Sequence, residues 1–177
     1  MMNLRCMVPL QLWIVLALLL SIPACSSRYE GEEFTFSAPP GYDIKPFITP
    51  YFDRHTNLQE LIFSGSNRYP YFIVYRRQLP PGSDLEGVLS DYKAIIEGDP
   101  SYLFISQKPI SLQGRTAIEL VHREFIGEPY VQTREVWVEH NGWAYSLVCV
   151  TPATAAPGAV IPVSEKCLQL AQDFQFK

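Results

Sequence analysis

The period of apolar and polar positions changes several times along these 177 residues. The chain opens on a run with no period at all. Val8 to Leu20 is apolar apart from Pro9 and Gln11. A period of two follows in Phe34-Thr35-Phe36-Ser37 and stops at Ala38-Pro39-Pro40-Gly41, which predicts a strand and a turn. Glu60 to Ser64 and Tyr71 to Arg77 read as two more strands joined by a loop over 65–70. Leu85, Val88, Leu89, Tyr92, Ile95 and Ile96 then recur at helical spacing, which predicts one continuous apolar stripe. Ser83 and Glu86 offer a capping box at its start, and Gly98 and Pro100 end it. Asp84, Glu86, Asp91 and Lys93 fall on the opposite side, the pattern of a helix lying on a sheet.

The second half is rich in strands. Phe104 to Ile110 and Thr116 to Phe125 flank a turn at Gln113-Gly114-Arg115. Val131 to Glu139 and Trp143 to Val150 flank Asn141-Gly142, a dipeptide suited to a two-residue type I′ turn. That turn would pair His140 with Trp143, Val138 with Tyr145, Val136 with Leu147 and Arg134 with Cys149. One face of this hairpin then carries Val136, Val138, Trp143, Tyr145, Leu147 and Cys149, and is a core face. The other mixes Trp137, Ala144, Ser146 and Val148 with Glu135 and Glu139. A loop over 151–162 leads to a helix from Ser164 to Asp173, with Val163, Cys167, Leu170, Ala171 and Phe174 on one side. A short extended tail, Phe174 to Lys177, closes the chain.

Composition suits one globular domain: 47% of residues are hydrophobic and 13% aromatic. The formal net charge is -4. Arg5 is the only charged side chain among the first 24 residues, so the rest holds 13 basic and 18 acidic residues, net -5. A mildly acidic domain lacks the electrostatic footprint of a nucleic-acid binder. That weighs against reading Tyr69, Tyr71, Phe72, Tyr75, Arg76 and Arg77 as a nucleic-acid surface; solvated strand positions come first, a protein-partner surface second.

The opening apolar run is 13 residues long, whereas a spanning helix needs about 20. Its length suits a secretory signal. Ile22-Pro23-Ala24-Cys25 follows and resembles the lipobox of bacterial lipoproteins. The resemblance implies cleavage between Ala24 and Cys25, diacylglyceryl and fatty-acyl (palmitate-type) modification of Cys25, and attachment to a membrane. Several acyl chains together hold stably where one does not, at about 0.8 kcal/mol per buried CH₂. The alternatives are a retained span, or ordinary cleavage nearby with Cys25 an incidental thiol. Ser26, where enterobacterial lipoproteins retained in the inner membrane favour aspartate, leans toward the outer membrane. The resulting division is a signal over 1–24, a lipidated start and short tether over 25–33, and a domain over 34–177.

Cys6 lies within the signal. Cys149 and Cys167 remain as a candidate disulfide, since the strand period and the helix period each aim one sulfur at the interior and export supplies an oxidising compartment. The alternative is two buried free thiols.

The order of elements, with "FTFSAPPGYDI", "DLEGVLSDYKAII", "ISLQGRTAIEL" and "VWVEHNGWAYSLVCVTP", resembles the PsbP-like and DcrB-like superfamily. The resemblance spans nearly all of Phe34 to Lys177 and lies in pattern and order. It implies an α+β fold, an antiparallel sheet of about six strands flanked by helices in an α-β-α sandwich. It also implies an accessory, assembly or binding role without catalysis. No metal or photosystem contact of that family carries over to a residue here.

A search for chemistry adds little. His55, His122 and His140 lack metal-ligand spacing to one another or to a cysteine or carboxylate. His140 is explained by its place beside the turn, and His122 alternates with Ile118 and Leu120 as a strand residue. His55, in Asp53-Arg54-His55, is the least explained. Gly65-Ser66 resembles a nucleophile elbow only superficially, and no phosphate-binding glycine loop occurs. The expectation is a lipid-anchored envelope protein with no catalytic residue, cofactor or metal, acting on a protein partner and not on nucleic acid. The alternatives are a small-ligand or lipid-handling protein with a cavity between sheet and helix and, third, a hydrolase.

Overall fold

The computed structural model describes residues 28–38, 44–47, 58–64, 70–125, 130–153, 161–163 and 165–177. Among these residues the main sheet is antiparallel and has seven strands. In chain order these are β3 (Ile44–Phe47), β4 (Leu58–Ser64), β5 (Tyr71–Gln78), β6 (Tyr102–Leu112), β7 (Arg115–Glu124), β8 (Val131–His140) and β9 (Trp143–Pro152). Their spatial order is β3-β4-β5-β9-β8-β7-β6. A second sheet of three strands joins β1 (Arg28–Glu30), β2 (Phe34–Ser37) and β10 (Gln175–Phe176), with β2 in the middle. Among the described residues the helices are α1 (Leu85–Gly98) and α2 (Glu165–Asp173).

The β8–β9 hairpin has the register the Asn-Gly turn predicts. His140 pairs with Trp143, Val138 with Tyr145, Val136 with Leu147 and Arg134 with Cys149. Asn141 and Gly142 both take positive φ, 51° and 76°, which is what a type I′ turn demands. The β6–β7 hairpin repeats the device at Gln113 and Gly114, φ 53° and 76°. Its turn is therefore two residues, and Arg115 pairs with Leu112 as the first residue of β7.

The strand period sends alternate residues to two different layers. On one side Phe72, Val74, Val136, Val138, Tyr145, Leu147 and Cys149 pack against Phe34 and Phe36 of β2 and Cys167, Leu170 and Phe174 of the α2 region. On the other, Ile118, Trp137 and Ala144 are covered by Leu85, Val88 and Leu89 of α1, with Leu79 beside them. The mixed hairpin face is thus a second core, roofed by α1. The layers run α1, main sheet, then α2 with the small sheet.

Four expectations change. Residues 28–30, read as part of a tether, are strand β1, because the Tyr29 ring packs on Phe34 and Phe36, 5.1 and 5.7 Å between centroids. Ile44–Phe47 adds a strand that carries Pro46 and is too short to show a period. Asp84, not Ser83, caps α1: its Oδ1 accepts from the Gly87 amide at 2.8 Å, while the Ser83 hydroxyl donates to the Pro80 carbonyl at 2.7 Å. A carboxylate is a strong acceptor for an orphan helix amide. Ile95, placed on the apolar stripe, is 63% exposed; it stands about 80° from the stripe's centre on a 3.6-residue helix. No described helix is long and apolar enough to cross a membrane.

Candidate functional site

Two polar clusters interrupt the apolar layers, one on each face of the main sheet. Beneath α1, Glu135 of β8 points into the second core and is 1% exposed. Its Oε1 accepts from the Tyr92 hydroxyl of α1 at 2.8 Å and lies 3.0 Å from His122 Nε2 of β7. Its Oε2 accepts from Trp137 Nε1 at 2.7 Å and from the Ser146 hydroxyl at 3.3 Å. The register makes this possible: Glu135 stands opposite Leu120 and Val148, and Trp137 stands opposite Ser146, all on the face under α1. His122 is 2% and Ser146 0% exposed. As an acceptor at both oxygens, Glu135 assigns the donor role to His122 Nε2; His122 Nδ1 has no hydrogen-bond partner among the described residues. This carboxylate, engaged at both oxygens and buried between Trp137 and the helix, ties α1 to the sheet. His122 is the buried strand residue that its alternation predicts, and it is paired with Glu135 of the neighbouring strand, a contact that alternation alone did not reveal.

On the opposite face, Glu33 follows β1 and reaches the main sheet. Its Oε2 accepts from the Tyr145 hydroxyl of β9 and from Arg76 of β5. Arg76 also lies over the Trp143 ring, 4.4 Å from the centroid. The Tyr145 hydrogen bond holds the Glu33 carboxyl below its ordinary value; burial opposes this, and Arg76 adds to it through charge and hydrogen bonding. Burial, then the bond to Glu33, pushes the Tyr145 phenol up to about 12. A cavity of about 260 Å³ opens beside the cluster, lined by Tyr29, Glu30, Glu32, Glu33 and Arg76 among others. A shallower hollow of about 450 Å³ lies at the β6–β7 turn around Pro109, Ser111 and Arg115.

A third cluster lies on the same face of the sheet as Tyr145. Glu119 of β7 pairs with Arg134 of β8 and with Lys108 of β6, the latter at 2.9 Å. Burial alone would raise the Glu119 carboxyl; the bonds and charges of Lys108 and Arg134 outweigh it and lower the value.

His140 sits where the turn predicts and stacks on Phe176, 4.2 Å between centroids. Burial lowers its imidazole and the charge of Arg115 lowers it further, against Glu33. Cys149 and Cys167 form a disulfide with Cα atoms 5.7 Å apart, stapling α2 to β9. From the aromatic and basic stretch, Phe72 is core and Arg76 belongs to the Glu33 cluster. Ala24, Cys25, His55 and Tyr69 lie outside the described residues. Among the described residues no group of three or more histidines, cysteines and acidic side chains is arranged to hold a metal. Neither Glu33 nor Glu135 was picked out as a site residue by sequence. A glutamate inside an otherwise alternating strand was the one signal for Glu135.

No family model matches the chain, and no curated protein does. Among solved structures, cyanobacterial PsbP (CyanoP) of Synechocystis sp. PCC 6803 superposes with a TM-score of 0.61 at 13% identity, over 89% of this chain and 96% of that one. The Pseudomonas aeruginosa protein PA94, of unknown function, gives a TM-score of 0.45 at 14% identity over 78% and 98% of the two chains. The Ran-binding protein Mog1p of Saccharomyces cerevisiae gives 0.46 at 13% identity over 85% and 96%. The chain has an α+β fold similar to that of PsbP.

Proposed function

We propose that this is an exported lipoprotein, anchored through Cys25, whose PsbP-like domain is a non-catalytic binding or assembly accessory of the cell envelope. One observation carries the export reading: the Cys149–Cys167 bond, a linkage that persists in oxidising compartments and is rare in reducing ones. The lipobox-like Ile22-Pro23-Ala24-Cys25 supplies the anchor. The accessory role is supported by what the polar clusters do. Glu135 and His122 are spent on holding α1 to the sheet, and Glu33 on holding the small sheet. The space between α1 and the sheet is filled by Leu85, Val88, Leu89, Ile118 and Trp137, which weighs against a ligand-handling cavity at that interface.

Mass spectrometry of the mature protein tests the anchor. The expected amino terminus is Cys25 carrying diacylglycerol; an unmodified terminus at another residue overturns the lipoprotein reading. Crosslinking in intact envelopes tests the role. One protein enriched over a control lipoprotein is the expected result, and no enrichment overturns the accessory assignment.

A further inference from the structure

The segment between the proposed anchor and the first strand is Ser26-Ser27. Cys25 and Arg28 are three residues apart, a reach of about 10 Å even when fully extended. Arg28 is already paired with Ser37 in the small sheet, and Glu33 ties the following turn to Arg76 and Tyr145. The domain therefore has almost no slack. Resting on the lipoprotein reading, we propose that the bilayer is itself a docking partner of this domain. The β1 edge and the α2 layer beside it lie on the lipid surface, and α1 faces away.

The occupant of the β1 edge follows from that short reach. Among the described residues β1 is the outer strand of its sheet, with β2 as its neighbour, and an unprotected strand edge invites pairing with other chains. A bilayer anchored within about 10 Å of its first residue is the surface nearest to that edge. The same layer contains α2, whose Leu168 is 43% exposed. An apolar side chain there is at home against the acyl–headgroup boundary. The main sheet separates this layer from α1, and stacked sheet layers are about 10 Å apart. The exposed Ile95 on α1 is thus on the distal side, open to a partner approaching from the aqueous phase.

Chemistry already in the chain makes the test clean. With Cys25 acylated and Cys149 bonded to Cys167, a newly introduced cysteine is the single free thiol of the mature protein. The variants Glu30→Cys, Leu168→Cys and Ile95→Cys are each labelled with a fluorophore. The lipidated proteins are then reconstituted in phosphatidylethanolamine–phosphatidylglycerol vesicles containing lipid with a nitroxide at the headgroup. Quenching at positions 30 and 168 several-fold stronger than at 95 is expected. Quenching at 95 equal to or stronger than at 30 overturns the orientation. A flexible Gly/Ser spacer of about twenty residues after Ser27, with a reach of ~25 Å, is expected to abolish the difference; persistence of the difference would show that the tether does not set the orientation and would overturn the argument. Protein that lacks the lipid in mass spectra and washes off the vesicles overturns the anchor and this proposal together. Lipidated, vesicle-bound protein without quenching at 30 overturns the orientation alone.

Discussion

The Glu135 cluster and the Glu33 cluster are built from the same parts, a carboxylate with a tyrosine hydroxyl and a basic or imidazole partner, yet they sit in opposite settings. Glu135 is enclosed, with four donors from one helix and three strands. Glu33 is partly open, beside a cavity, and is held by two strands of a different sheet. The first joins α1 to the main sheet from within; the second clips the start of the domain onto that sheet from its rim. A sealed carboxylate must be satisfied wholly by protein, so its loss strands every donor. A rim carboxylate can hand its donors to water.

The largest effect is expected at the sealed cluster. Glu135→Ala should cost about 3–5 kcal/mol, since it leaves buried polar partners without their acceptor. Urea unfolding measures it; a loss as small as that of a surface carboxylate would erase the distinction drawn between the clusters. Next comes the staple on the rim side. The disulfide closes a loop of 18 residues, and loss of such a cross-link costs about 3 kcal/mol. Cys167→Ser is therefore expected to unfold well before wild type under oxidising conditions and to match it more closely in reductant. Unchanged unfolding under oxidising conditions would mean that α2 is held by its apolar face alone. The smallest effect is the titration of the rim. Glu33 is held below its ordinary value of 4.5. Its contribution is complete above pH 4.5 and falls away as the pH drops through the lower folded value. The stabilities of wild type and Glu33→Gln should then differ near neutral pH and converge in acid. A gap that stays constant into acid would remove Glu33 from the account.

Local signals were legible and distant ones were not. Asn141-Gly142 and the alternation around it suffice for the β8–β9 register, and two separate periods aim Cys149 and Cys167 inward. Those arguments need only neighbours in sequence. The Glu135 hub needs Tyr92, 43 residues away, and Glu33 needs Tyr145, 112 residues away. No period connects such positions; the fold brings them together after the layers form. β1 and β3 escaped for a related reason: segments of three or four residues are too short to display a repeat. The choice between Ser83 and Asp84 turned on where each side chain is directed: the Ser83 hydroxyl donates back to Pro80, and the Asp84 carboxylate accepts from Gly87.

The two ends of the described chain meet in one small sheet, with β1 and β10 on either side of β2. Phe34 stacks on Phe174, and Phe176 lies opposite Phe34 in the β-ladder. Phe34 also meets Tyr29 and Tyr145, so its ring is covered by residues both near and far in sequence, the farthest being Phe174, 140 residues on. Within this layer, β1 pairs with β2 through neighbouring sequence, while β10 comes to β2 from far along the chain. Closure of the small sheet thus joins residues from both sides of the main sheet's sequence, with β10 pairing beside β2.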